Sequence, residues 1–194
     1  DGLYVCKEVL LRHFFVPFAT QGVGGKDTLI VSNNPAVNQY FVLSNCIQNF
    51  NAIDKKTSKG PLRSPFSHPS SALFSFINRV TTQGDQLTKP DQISLSVYQF
   101  NNGQTPEISI YDLANQAFNF YVSCINNADF KNAWLIFQDY HFDRKITKKD
   151  QFNKETMRWE KNGEPIPFEE FARWKNLILK NLLHNIPLRQ FFYS

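Results

Sequence analysis

Methionine is nearly absent from this chain. Met157 is the single one in 194 residues, and residue 1 is aspartate, so the expectation is a segment of a longer protein. Cysteine is scarce too: Cys6, Cys46 and Cys124 are an odd set, far apart and without a CxxC pair. That excludes a disulfide framework, fits a reducing cytoplasm, and leaves no zinc motif to read. The four histidines, His13, His68, His141 and His184, lack HxH or HxxxH spacing, so no metal site is expected. No apolar run is long enough to span a bilayer, and no membrane partner is expected. A G-x-S-x-G nucleophile elbow is missing. His141 and Asp143 sit two apart and are the nearest thing to a hydrolytic pair, without any specific motif around them. The chain is therefore read as a non-enzyme that needs no cofactor.

Gly22-Val23-Gly24-Gly25-Lys26 looks like a phosphate-binding loop but does not meet G-x-x-x-x-G-K-[ST], because Asp27 follows Lys26. It also precedes a strand, Thr28–Val31, where a nucleotide-binding loop would follow one. Nucleotide hydrolysis is excluded. A hairpin turn is the plain reading, and a backbone phosphate contact by Lys26 is the functional one.

What the chain does have is a core. Phenylalanine occurs 19 times and 42% of residues are hydrophobic. Apolar spacing predicts a first helix over 3–15, with Leu3, Leu10, Leu11, Phe14 and Phe15 inward and Pro17 as its stop. Asn34-Pro35 opens a second helix reaching about Ile53, with Val37, Phe41, Val42, Ile47 and Phe50 inward. Pro69 opens a third, lined by Leu73, Phe74, Ile77 and Val80. Asp112 is placed as the cap of a fourth, with Ala117, Phe118, Tyr121, Val122 and Ile125 buried. A fifth carries Trp134 and Phe137. A last helix starts near Pro167 with a stripe of Phe171, Trp174, Leu177, Ile178, Leu182 and Leu183. Between the third and fourth, Ile93, Leu95 and Val97 alternate with polar residues, as do Ile108 and Ile110. These flank Asn101-Asn102-Gly103-Gln104-Thr105-Pro106, which predicts a β-hairpin with both apolar sets on one buried face. The fold class is α+β: one domain over 1–194, helices packed around a small antiparallel sheet that contains the 92–113 hairpin.

The net charge is +4, mildly basic, which permits a polyanionic partner without requiring one. Two stretches, 54–70 and 144–165, read as basic or irregular loops. Lys55, Lys56, Lys59 and Arg63 in the first, and Lys148 and Lys149 in the second, are candidate phosphate contacts, as is Lys26. Asn101, Asn102 and Gln104 at the hairpin tip are candidate base-edge contacts, since an amide donates and accepts at once. The plain alternative for the tip is turn chemistry, and for the charge runs a solvated surface.

Taken in order, the segments resemble a known family. A helix beginning at a cysteine, a Gly-Gly-Lys loop, a strand and an Asn-Pro helix come first. Then comes the strand pair with Tyr98, Phe100, Asn101, Gly103, Gln104, Pro106, Ile110, Tyr111 and Leu113. The ending is Leu182–Phe192. This is similar to the large subunit of type I-B CRISPR Cascade, the family named for two CXXC motifs. Here Cys6-Lys7-Glu8-Val9 places Val9 where a second cysteine would stand, so no zinc site is expected. The resemblance implies a non-catalytic, cytoplasmic, prokaryotic subunit of an RNA-guided DNA-targeting complex in antiviral defence. Such a subunit recognises the target-flanking motif and stabilises the R-loop. The implied partners are the 5′ handle of the guide RNA, target double-stranded DNA, the backbone and handle-binding subunits, and a recruited helicase-nuclease or transposition proteins. The alternative is a protein–protein scaffold without nucleic-acid contact, motivated by the terminal aromatics Phe191, Phe192 and Tyr193.

Overall fold

A computed structural model describes residues 4–58, 60, 62–83, 93–101, 105–143 and 150–192. Helix α1 (Lys7–Ala19) leads into strands β1 (Gln21–Val23) and β2 (Lys26–Ser32), then α2 (Pro35–Asp54) and α3 (Pro69–Gln83). The hairpin follows as β3 (Leu95–Asn101) and β4 (Glu107–Leu113), then α4 (Asn115–Asn126) and α5 (Lys131–Tyr140). The C-terminal third holds β5 (Phe142–Asp143), β6 (Asp150–Asn153), β7 (Arg158–Lys161), β8 (Glu164–Pro165), α6 (Phe168–Phe171), β9 (Lys175–Asn176) and α7 (Leu177–Leu183). The fold is α+β. Its main sheet is antiparallel, in the order β1-β2-β3-β4, with helices packed around it. Among the described residues no helix is long and apolar enough to cross a membrane.

The sheet and helices share one core. Ile30, Leu95, Val97 and Leu113 come from the sheet and Val37 and Phe41 from α2. Leu73, Phe74, Phe76 and Ile77 come from α3, Phe118 and Tyr121 from α4, and Ile178, Leu182 and Leu183 from α7. Phe41, Phe74, Phe76 and Tyr121 are fully buried. Phe41 meets Phe76 edge-on at 5.2 Å between ring centroids, and Phe74 meets Tyr121 at 4.5 Å. Both separations lie in the favourable range for ring pairs.

Several expectations are overturned by the packing. Helix α1 continues past Pro17 to Ala19, because α2 secures its last turn from outside. Asn45 Nδ2 donates to the Ala19 carbonyl at 2.9 Å and Asn49 Nδ2 to that of Phe18 at 3.0 Å. Those two amides therefore take the inward positions of α2, in the row Val37, Phe41, Asn45, Asn49. Ile47 and Phe50 are turned outward, 57% and 51% exposed. Leu10, Leu11, Phe14 and Phe15 of α1, expected inward, are exposed as well; Leu3 lies outside the described residues.

On β4 the expected face is inverted. The register pairs Val97 with Tyr111 and Leu95 with Leu113, so the odd-numbered residues of β4 share the core face. Ile108 and Ile110 stand opposite Phe100 and Tyr98 and point away from the core. Asp112 does not cap α4, whose N-cap is Ala114; its carboxylate accepts from Ser96 Oγ at 2.6 Å. The stretch read as a basic loop over 144–165 forms, within 150–165, a three-stranded antiparallel sheet, β6-β7-β8. The expected last helix breaks at Lys175–Asn176, which pairs with β5 as β9. Asn176 then caps α7 by accepting from the Leu179 N–H at 2.9 Å.

Candidate nucleic-acid interface

The strand registers place residues in rows across the sheet. On the face away from the core one row runs Arg63, Gly22, Asp27, Phe100, Ile108. The next holds Leu29, Tyr98 and Ile110, and the third Val31, Ser96 and Asp112. Facing residues of paired strands share a face, so these side chains form one surface. Helices α2 and α7 pack on the core face, where Tyr111 meets His184 edge-on at 5.6 Å. The other face stays half-open: Leu29, Tyr98 and Phe100 are half-buried, while Ile108 and Ile110 are 65% and 54% exposed. No ring contact among the described residues occupies Tyr98 or Phe100.

Tyr98 and Phe100 sit two residues apart on β3, an interior strand of the sheet. Their side chains are therefore separated by roughly 7 Å along the strand. That exceeds the roughly 3.4 Å step of a stacked duplex strand and suits unpaired, splayed bases.

Arg63 borders this face because its loop is bound to β1. The Gly22 N–H donates to the Leu62 carbonyl at 2.7 Å, and the Ser64 N–H donates to that of Gly22 at 2.8 Å. The Leu62 N–H in turn donates to Asn49 Oδ1 at 3.0 Å. The same loop passes close to the β1-β2 turn. Gly24 has φ +59°, and a Cβ there would lie 2.4 Å from the Ser67 carbonyl oxygen. Only glycine fits both the left-handed backbone and that approach. The glycine-rich stretch is thus a hairpin turn that seats the 62–67 loop. Between them opens a groove of about 930 Å³, bordered by Arg63 and Arg173 but also by Asp27 and Glu169.

Of the residues expected to contact nucleic acid, Lys26, Arg63 and Asn101 are brought to one end of the main sheet. Lys26 and Asn101 lie in the rim row with Glu107, and Lys26 Nζ is 3.9 Å from the Glu107 carboxylate. Lys55 and Lys56 are exposed at the C-terminal end of α2, at the start of the chain segment that leads to Arg63. Lys56 sits at φ 55°, with Thr57 and Ser58 donating back to the Ala52 carbonyl at 2.8 and 3.0 Å. Lys59, Asn102, Gln104, Lys148 and Lys149 lie outside the described residues. Sequence reasoning did not assign a contact role to Tyr98, Phe100 or Arg173. The signal for the first two was there: two aromatics occupy the polar phase of a period-two strand.

The residues weighed for catalysis are engaged separately. His141 Nδ1 is 2.7 Å from the Phe137 carbonyl, and the ring packs among Phe137, Tyr140 and Phe191. Asp143 pairs with Lys175 Nζ at 2.7 Å, a donor that holds its carboxyl below the usual carboxylate range. Among the described residues no three His, Cys, Asp or Glu side chains converge as a metal site would require. Of the terminal aromatics, Phe191 packs against the core and Phe192 stacks on Phe137 at 4.9 Å between centroids. Tyr193 lies outside the described residues. No protein-family model, curated protein or solved structure matches this chain.

Proposed function

We propose that this chain is a non-catalytic nucleic-acid-binding subunit that holds an unpaired strand on the half-open face of its main sheet. The observation that carries the reading is the pair Tyr98 and Phe100 on an interior strand, with Arg63 at the edge of the same face. Bases would stack on the two rings, each worth about 1–3 kcal/mol, while Arg63 at the edge of the same face meets an adjoining phosphate.

Together with the ordered resemblance from Tyr98 to Leu113, this supports a large subunit of an RNA-guided DNA-targeting complex. In that setting the strand is the guide's 5′ handle or a strand displaced from the target duplex. Cutting or insertion is then left to recruited proteins. The scaffold alternative has an observation of its own in the outward apolar residues of α1 and α2, among them Phe14, Ile47 and Phe50. Protein docking there is compatible with nucleic-acid binding on the sheet.

The test is fluorescence anisotropy with labelled oligo-dT, oligo-U and a duplex of equal length. The reading expects single strands to bind more tightly than the duplex. Tyr98→Ala and Phe100→Ala should each weaken single-strand binding by about 5- to 150-fold, following the stacking energy. Undiminished binding by the folded double variant would sink the reading.

A further inference from the structure

A second site, independent of the sheet face, lies where α5 meets the C-terminal third. Asp139, near the end of α5, borders two cavities of about 310 and 390 Å³ that share Phe168 and Phe171 as walls. Phe142 and Trp174 complete the first, meeting Phe171 at 4.7 and 5.5 Å between centroids. Asp139 is the one carboxylate in its lining, beside the amides of Asn78, Gln138 and Asn176 and the hydroxyls of Ser71 and Ser75. Gln138 Oε1 is buried without a hydrogen-bond partner, and the Gln138 side chain hydrogen-bonds the Asp139 carboxylate. None of the ion pairs among the described residues involves Asp139. The other titratable groups lining the two cavities are Tyr121 and Arg158. Tyr121 donates its hydroxyl to Asn78 Oδ1 at 2.9 Å, and burial pushes it well above its ordinary range.

A mostly buried carboxylate, an orphaned amide oxygen and ring faces form a consistent chemical demand. The acceptors call for N–H donors, the carboxylate for a positive charge, and the rings for a flat cation that stacks. Guanidinium meets all three requirements; a compact ammonium stacks less well and is more strongly hydrated. We infer that the cavity bordered by Gln138, Asp139, Phe142, Phe168, Phe171 and Trp174 binds a guanidinium group. Its source is either a small guanidinium metabolite or an arginine side chain presented by a partner protein. Burial holds the Asp139 carboxyl up at about 6, so the free site is charged at neutral pH and discharged just below it.

Calorimetric titration with ethylguanidinium chloride and, separately, N-acetyl-arginine amide tests the site, with ethylammonium chloride as the comparison. Saturable binding of ethylguanidinium, tighter than ethylammonium, is expected at pH 7.5. Affinity should fall as pH drops below about 6, a change that the always-protonated ligand does not itself produce. Asp139→Asn should weaken binding by at least about tenfold without unfolding the protein, since it removes a buried charge. Phe168→Leu should weaken it roughly threefold or more through the lost ring face. Tighter binding of the capped arginine assigns the site to a protein partner, and preference for the bare head group assigns it to a metabolite. If neither guanidinium compound saturates, or if Asp139→Asn binds equally well with the same pH profile, the inference is overturned.

Discussion

Single amides fix how α1, α2 and the 62–67 loop meet: Asn45 and Asn49 reach the Ala19 and Phe18 carbonyls, and Asn49 also takes the Leu62 N–H. Asn34 at the start of α2 was readable as a cap, and its Oδ1 accepts from the Ala36 N–H at 2.9 Å. Asn45 and Asn49 were not, because an inward amide breaks the apolar stripe and its partners, Phe18, Ala19 and Leu62, are remote in sequence. Asp139 was read as an exposed helix-end carboxylate, and most of the rings around it, Phe168, Phe171 and Trp174, come from chain more than twenty residues away. Its carboxyl is raised to about 6 in the folded protein, so between about pH 4 and 6 the folded state binds more protons than the unfolded one. Stability from this group therefore falls as pH rises through that window, and the cost is fully present above it. Asp139→Asn should raise unfolding free energy at pH 7 by up to about 3 kcal/mol, with most of the gain gone near pH 4. Urea denaturation at the two pH values measures this; an equal effect at both would contradict the burial argument.

At the scale of elements, the hairpin was legible and its second face was not. Alternation marks both strands, but which set of β4 faces inward depends on the residues spanned by the turn, and a shift of one reverses it. That is why Ile108 and Ile110 stand outside beside Phe100 and Tyr98. The broken last helix has a similar origin: Asn176 is a strong cap placed inside an apolar stripe that reads as continuous. The glycine turn is the element that fixes Arg63 near the sheet, and two substitutions separate its components. Gly25 has φ +82° with open space around it, so Gly25→Ala should cost only the backbone term, about 1–2 kcal/mol. Gly24→Ala adds the approach to Ser67 and should cost more, lowering the melting temperature by several degrees beyond Gly25→Ala. Equal melting temperatures would show that the 62–67 loop is not seated on the turn.

On the whole-molecule scale, charge is distributed rather than concentrated. The sheet face sets Arg63 against Asp27 and Asp112, and the groove beside it sets Arg63 and Arg173 against Asp27 and Glu169. Binding should therefore rest more on stacking than on counterion release. With two or three phosphates neutralised, the plot of log affinity against log salt for a single strand should have a slope of about −1 to −2. A slope several times steeper would move the interface to the basic loops around Lys55 and Lys56. The sequence made the α+β class and most of the helices legible, since these follow from local periodicity and caps. The two aromatics stand in the polar phase of β3 in the sequence, but their joining with Asp27, Ile108 and Arg63 into one face exists only once β2, β3 and β4 are in register.

An unpaired strand lying across Tyr98 and Phe100 would place its bases against both rings. Photo-cross-linking with a 4-thiouridine-substituted single strand, followed by mass-spectrometric mapping of the modified peptide, tests it most directly. Cross-links are expected within β3 at Tyr98 or Phe100, lost when unlabelled single strand competes and retained against duplex. Cross-links confined to the 55–63 loop or the C-terminal third, with none in β3, would contradict it.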